Sequence, residues 1–511
     1  MDLHLAATEP TAAERAAVDA VLDGVVPAAV GPELQDAAGG GRIELGGARA
    51  RRGVRHLLLP ALHGVQDEVG WISPAALDYI CCRLAVPPAE AYGVATFYAL
   101  LATEERPPRV AHVCDDIVCR NAGAAEICHR LEQRLGPAHG AAGAPHPPPP
   151  ASAGGARATW MTSPCLGLCE RAPAVLLQLA GDHDAAVARA TADEVCEALA
   201  AGDGPASAAS VASAAVVPAP QTATDRSPAP QTERAATAAE LTLLRRVGTV
   251  APESIDDYRR HGGYAALRRA FELGPEGVLR ELDESKLLGR GGAAFPTAAK
   301  WQAVAHAAAR PHYVVCNADE SEPGTFKDRV IMEQDPYAVL EALTIAGFAT
   351  GATQGYLYVR GEYPVATERL QRALAGARAR GLLGGDILGS GVTFDIDLRR
   401  GAGAYICGEE TALFNSLEGF RGEPRSKPPY PTEVGLFGKP TVVNNVETLV
   451  NLLPILLAGG RAYAALGTAQ STGTKLFCLS GAVAVPGVYE VEFGVTPVSY
   501  THLTLPTKRI V

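Results

Sequence analysis

Residues 203–239 contain almost nothing from which a core could be built. The stretch reduces largely to Ala, Pro, Ser, Thr and Gln, and PAPQT occurs twice, at 218–222 and 228–232. Such a segment cannot bury enough apolar surface to offset the entropy of folding, and its prolines keep it extended. It reads as a linker, so the 511 residues must be parted between a folded unit before it and another after it. The 47% hydrophobic content is enough for a core in each. A formal net charge of −11 argues against nucleic-acid binding, which needs a basic footprint. No run of about eighteen uncharged apolar residues occurs, so no direct membrane insertion is expected. The start, MDLHLAATEPTAAERAA, lacks the basic and apolar regions of a secretory signal. The expected compartment is the reducing cytoplasm, where the eleven cysteines are thiols, metal ligands or redox groups rather than disulfides.

In the first unit, residues 1–54 are Ala/Gly-rich and read as a poorly ordered leader with room for one helix. Order is expected from His56. WISPAALDYICCRLAVPP predicts a helix with Ser73 as N-cap, Pro74 in its first turn, and Leu77, Ile80, Cys81 and Leu84 on one face. A second helix is expected from Pro88 to Leu101. RVAHVC predicts a strand ending at Cys114, AVLLQLAG another strand, and TADEVCEALAA a helix. Residues 137–157 are a Pro/Gly/Ala loop. Cys81, Cys82, Cys128 and Cys196 fall in helical patterns as small core residues.

Four other cysteines carry the chemistry. Cys114 and Cys119 form C-x4-C, and Cys165 and Cys169 form C-x3-C. A 2Fe–2S cluster needs two thiolates per iron from loops that fold over it. Spacing leaves zinc and unrelated core cysteines as alternatives, although zinc favours tighter pairs. Together with PPAEAYGVATFYALL and PCLGLCERAPAVLL, the two pairs resemble the 24-kDa-type subunit of NADH dehydrogenases. That resemblance covers about residues 55–200. It implies a thioredoxin-like 2Fe–2S domain, here 55–202, with Cys114, Cys119, Cys165 and Cys169 as ligands and the Pro-rich loop as an insertion.

The second unit alternates strands and helices, which argues for an α/β domain. Four blocks stand out. GRGGAAFPTAAKW, from Gly289 to Trp301, is a glycine-rich loop entering a helix, where free amides and the helix dipole favour a phosphate and Lys300 adds charge. In CNADESEPGTFKDR, Asn317, Asp319, Glu320 and Glu322 follow an expected buried strand, the place where open α/β sheets bind ligands. RGAGAYICGEETAL supplies Tyr405, Gly408, Glu409 and Glu410. GKPTVVNNVETL supplies Asn444, Asn445 and Thr448. Any one block is weak alone.

Together they resemble the 51-kDa-type flavoprotein subunit of complex I, over about residues 240–496. The resemblance implies a phosphate cradle from Gly289, Arg290, Gly291, Gly292 and Lys300. It implies FMN contacts from Asn317, Asp319, Gly408, Asn444, Asn445 and Thr448. NADH contacts are implied for Phe295, Glu322, Glu410, Lys427 and Tyr430, with Glu320, Tyr405 and Glu409 beside them. Ala303 stands where an aromatic is often found, and Tyr430 where a Phe is usual. No side chain is expected to act as an essential acid or base. The implied fold is an FMN/NADH-binding α/β domain over 240–470, followed by the start of a ubiquitin-like segment over 471–497.

The family's 4Fe–4S ligands have no counterpart, since no cysteine follows Cys478. The pattern fails near Pro497. VSYTHLTLPT, which opens 498–511, is also what one frame of a sequencing-library adaptor encodes, so that tail is expected to be non-native and the chain truncated. The implied function is the NADH-oxidising input module of a complex-I-type NADH:quinone oxidoreductase. It would work with an iron–sulfur acceptor subunit on the inner face of the membrane. The alternatives are a diaphorase subunit of an NAD-linked hydrogenase or formate dehydrogenase, and a non-catalytic fragment.

Overall fold

The computed structural model describes residues 9–23, 25, 53–139, 158–200, 241–483 and 485–495. The linker at 203–239, most of the 137–157 loop and the 498–511 tail lie outside them.

The leader contains a helix, for which the sequence left room, and that helix is docked. α1 (Ala12–Leu22) opens on a capping box between Thr11 and Glu14. It packs on α2 (Leu58–Val69) with Val18 and Leu22 fully buried, which stabilises the contact by about 1.5–3 kcal/mol per side chain. Next come α3 (Pro74–Leu84) and α4 (Pro88–Ala95). α3 starts as expected: the Ser73 hydroxyl accepts the Ala76 N–H at 3.0 Å, and Pro74 begins the helix. α4 stops at Ala95, six residues before the expected end, because residues 98–101 leave the helix to pair with another segment: the Leu100 N–H bonds the Ala402 carbonyl at 2.9 Å. Cys82 is exposed rather than in the core.

A four-stranded sheet follows, built from β1 (Arg109–Cys114), β2 (Ala158–Ser163), β3 (Ala174–Leu179) and β4 (Ala185–Ala188). Its order is β2-β1-β3-β4, with β1 and β2 parallel and the other pairs antiparallel. The short α5 (Ile117–Asn121) follows β1. α6 (Ala124–Leu135) and α7 (Ala192–Ala200) cover one face, where Ile127, Leu131, Val195 and Leu199 meet Ala111, Val113, Val175 and Leu177.

Early in the second unit lie the long α8 (Ala265–Ser285) and then α9 (Thr297–Ala305). Its sheet is wholly parallel, in the order β7-β6-β5-β8. The strands are β5 (Tyr313–Ala318), β6 (Gln354–Val359), β7 (Asp395–Arg400) and β8 (Thr441–Asn445). Between them lie α10 (Lys327–Gln334), α11 (Pro336–Thr350), α12 (Pro364–Ala379) and α13 (Glu410–Leu417), with α14 (Val446–Val450) after β8. α11 and α12 cover one face through Val314, Cys316, Leu357, Val359 and Val442. The N-terminal helices cover the other face. Leu58, Leu62, Ile80 and Leu84 share one core with Val315, Tyr356, Tyr358 and Val443. A parallel sheet must bury both faces, and here the first unit supplies part of that cover. The Tyr98 hydroxyl bonds the Ser416 hydroxyl at 2.8 Å across the same boundary. An antiparallel hairpin, β9 (Thr474–Leu479) and β10 (Gly487–Glu492), closes the described chain. Buried Glu490 of β10 accepts the N–H groups of Thr242, Leu243 and Leu244.

Candidate functional site

The four cysteines converge at the end of the first sheet. Cys114 ends β1, Cys119 lies in α5, and Cys165 and Cys169 flank the turn after β2. All four are buried. The Cys165 and Cys169 sulfurs are 3.3 Å apart, and Cys114 contacts both Cys119 and Cys165. The Gly167 N–H reaches the Cys165 sulfur at 3.4 Å, and the Gly324 N–H of the second unit also donates to Cys165 and Cys169. Hydrogen bonds from Cys114 and Cys169 hold the Cys165 thiol far below its usual range. Two sulfur pairs with backbone amides directed at them fit a two-iron cluster.

The second site lies at the carboxyl ends of β5 and β8. The glycine loop is pinched by Gly289 N–H to the Phe295 carbonyl at 2.9 Å and Thr297 N–H to the Leu287 carbonyl at 3.0 Å. Gly292, at φ +115°, faces open space, and a side chain there would be strained. Buried Thr297 Oγ1 has no hydrogen-bond partner at the start of α9. The Arg290 N–H donates to Thr448 Oγ1 at 2.8 Å, and a Cβ on Gly291 would lie 3.1 Å from Asn445 Cβ. The loop and the Asn-Asn segment therefore touch. An unpartnered hydroxyl, open glycine backbone and a helix start form a cradle that fits a phosphate-bearing cofactor.

The acids and aromatics gather beside it. Asn317 Nδ2 donates to the Gly408 carbonyl at 2.9 Å. The Tyr405 hydroxyl donates to Glu322 Oε2 at 2.6 Å. Glu409 caps α13 through the Thr411 and Ala412 N–H groups and also accepts Lys427 Nζ at 2.9 Å. Glu410 accepts Lys427 at 2.7 Å and stands 3.8 Å from Lys300 Nζ, which lies 5.7 Å from the Phe295 ring centre. Burial lowers the Lys300 ammonium pKa, opposed by Glu410. Phe295 and Tyr405 are exposed, 53% and 63%. Exposed aromatics beside exposed and half-buried acids mark a binding surface rather than a core. Tyr430 is also exposed, but its hydrogen bonds stay within its own turn.

Three of the expected contact residues are also held by partners within the protein. Glu320 is buried, and its carboxylate accepts the Asp328 and Arg329 N–H groups at the start of α10. The Arg290 guanidinium is buried against the Thr472 carbonyl and the Tyr463 hydroxyl, so it anchors the chain before β9. Asn444 Oδ1 accepts Trp301 Nε1 at 2.8 Å. Each chooses these partners because a buried polar group must be paired. A buried ion network under the cleft was not expected from the sequence: Lys327 Nζ reaches Asp328 at 2.8 Å and Glu447 at 3.0 Å, while Asn445 Nδ2 donates to Asp328. Its signal was the adjacent Lys-Asp-Arg that ends CNADESEPGTFKDR.

Asp319 sits between Gly408 and Ser321, and burial pushes its carboxyl up to about 7, partly offset by Arg360. A carboxyl whose pKa rises on folding contributes stability that is present below 3.8 and is lost as pH rises to about 7. Thermal unfolding of the cofactor-free chain between pH 4 and 7 should therefore show a smaller loss of stability in Asp319→Asn than in the parent. Equal slopes would contradict the burial of this carboxyl.

Known proteins match the segments that carry both sites. The thioredoxin-like [2Fe-2S] ferredoxin model matches residues 48–201, and the Nuo51 FMN-binding domain model matches 282–453. The crystal structure of an NAD+-reducing [NiFe]-hydrogenase in the air-oxidized state superimposes with a TM-score of 0.66 at 33% identity, over 88% of this chain and 70% of that one. This chain belongs to the family that joins a thioredoxin-like [2Fe-2S] ferredoxin to a Nuo51-type FMN-binding domain. Among curated relatives, an NADH-quinone oxidoreductase subunit from Aquifex aeolicus is 51% identical over 254 residues, 50% of this chain and 59% of that protein. The HndC subunit of an NADP-reducing hydrogenase from Solidesulfovibrio fructosivorans is 49% identical over 252 residues, 49% of this chain and 51% of that protein. The chain thus spans between half and two thirds of the length of these relatives. The four cysteines fall within the segment matched by the ferredoxin model, and the glycine loop falls within the segment matched by the FMN-domain model. Among the described residues no helix is long and apolar enough to cross a membrane.

Proposed function

We propose that the chain is the NADH-oxidising input module of a complex-I-type NADH:quinone oxidoreductase. The observation that carries this is the cleft itself: a phosphate cradle at the carboxyl end of a parallel sheet, rimmed by exposed Phe295 and Tyr405 and by the Lys300–Glu410–Lys427 ion row. FMN, when bound, supplies the conversion of a hydride into single electrons. The work of the protein is then positioning. Gly289, Gly291, Gly292, Thr297 and Lys300 hold the phosphate. Asn317, Asp319, Gly408, Asn444, Asn445 and Thr448 line the flavin. Phe295, Tyr405 and Tyr430 offer faces for the adenine of NADH, with Glu322, Glu409, Glu410 and Lys427 orienting its polar groups. Cys114, Cys119, Cys165 and Cys169 hold the 2Fe–2S cluster. The module works within a multi-subunit assembly, with an iron–sulfur subunit as acceptor, at the inner face of the membrane.

A diaphorase role beside a hydrogenase is the second reading. The single-chain arrangement of both units favours it, since the solved hydrogenase chain aligns with 88% of this one. Both readings predict the same test. The chain loaded with FMN should reduce ferricyanide with NADH. A preparation with one FMN per chain and no such activity would refute both and favour a non-catalytic fragment.

A further inference from the structure

The buried residues between the two units are not used by either site alone. Arg360, at the end of β6, has its guanidinium between the two loops that matter. Its Nη1 donates to the Glu320 carbonyl at 2.7 Å, in the acidic loop of the cleft. Its Nη2 donates to the Cys165 carbonyl at 2.7 Å, in the cysteine loop of the first unit. The group is 2% exposed. Its nearest counter-charge is Glu362, which accepts Nη2 at 2.9 Å and Nε at 3.3 Å, and Asp319 adds a weaker attraction. Glu320 faces the other way, onto α10. The bidentate fork of a guanidinium suits this bridge, because one planar group satisfies two carbonyls at fixed angles.

We propose that Arg360 is a positioning residue that couples the cleft to the 2Fe–2S cluster: it fixes the Cys165 and Glu320 carbonyls relative to each other, and its buried charge makes the cluster easier to reduce. This rests on the four cysteines being cluster ligands. A cluster gains one negative charge on taking up one electron. A fixed cation held against a ligand's own carbonyl favours the reduced form, and in a buried site that attraction is poorly screened. Hydrogen bonding and charge near the sulfurs are recognised controls of cluster potential. Glu362 opposes the same effect, so the pair sets two shifts of opposite sign.

The test is a redox titration of the full chain, with cluster and FMN loaded, using dithionite and mediators and following the EPR signal of the reduced 2Fe–2S centre. Arg360→Gln should shift the oxidised-to-reduced ratio about tenfold toward oxidised at a given potential, ~59 mV lower for a one-electron couple. Glu362→Gln should shift it the opposite way, and Arg360→Lys, which keeps the charge, should stay nearer the parent than Arg360→Gln. Should Arg360→Gln fail to accumulate, the upward shift in Glu362→Gln decides the matter alone. Unchanged potentials in the variants, or shifts of the same sign in Arg360→Gln and Glu362→Gln, would overturn the proposal. A parent protein with iron incorporated but no 2Fe–2S signal would overturn the ligand assignment, and the proposal with it.

Discussion

Arg329→Met lowers the midpoint of thermal unfolding by roughly 6–20 °C, as read by calorimetry on the purified chain. The side chain is 1% exposed and crosses between the units. It donates Nε to the Gly167 carbonyl at 2.9 Å, pairs with Glu170 of the cysteine loop, and reaches Glu333 of its own helix at 2.9 Å. Removing it leaves buried Glu333 without its cation and leaves Glu170 with Arg171 alone. Breaking a buried pair in this way costs about 3–5 kcal/mol, and in domains of this size each kcal/mol moves the midpoint by about 2–4 °C. The double variant Arg329→Met, Glu333→Gln removes the carboxylate left unpaired, keeps Glu170 for Arg171, and should regain much of the loss. An unchanged midpoint in Arg329→Met would mean that the two units are not docked in solution as they are in the structure.

Gly167→Ala has the largest expected effect on the cluster. The residue lies between Cys165 and Cys169 at φ +67°, and a Cβ there would fall 2.2 Å from the Tyr363 hydroxyl oxygen. Tyr363 is itself buried, so neither side can yield cheaply. The substitution should remove most of the 2Fe–2S signal per chain while leaving the FMN content largely intact. Gly181→Ala is the control. Its φ is +75°, but its nearest neighbour, the Glu68 carbonyl oxygen, is 3.9 Å away. It meets the backbone strain of about 1–2 kcal/mol without the clash. Iron and flavin analysis of the two variants separates the effects. Equal cluster content in both would show that contact with Tyr363 does not shape the cysteine loop.

Local signals were legible where one chemical cause acts over a few residues. Ser73-Pro74 set the start of α3, and the apolar runs YVVC and YLYV marked β5 and β6 within a residue or two. The four cysteines stood out because their spacing matters for chemistry and little else. The end of α4 was not legible, because the chain leaves the helix to pair with Ala402, some three hundred positions away. Glu320 looked like its neighbours Asp319 and Glu322. Only the turn into α10 determines that its carboxylate meets two amides there.

The linker had a similar ambiguity. Composition shows that residues 203–239 cannot form a core, and from this two units follow, each with its own motifs. Composition carries no information on whether the units touch. The tertiary structure decided that, for a physical reason. The parallel sheet of the second unit has one apolar face that its own α13 covers only in part, and α2 to α4 of the first unit complete the cover. Docking there brings the CLGLC turn onto Arg329, Arg360 and the Gly324 amide. The sequence by itself singled out the residues proposed here to hold a cluster and those proposed to hold a flavin. Their arrangement as neighbours across one buried, arginine-bridged interface depended on which apolar face was left to be covered.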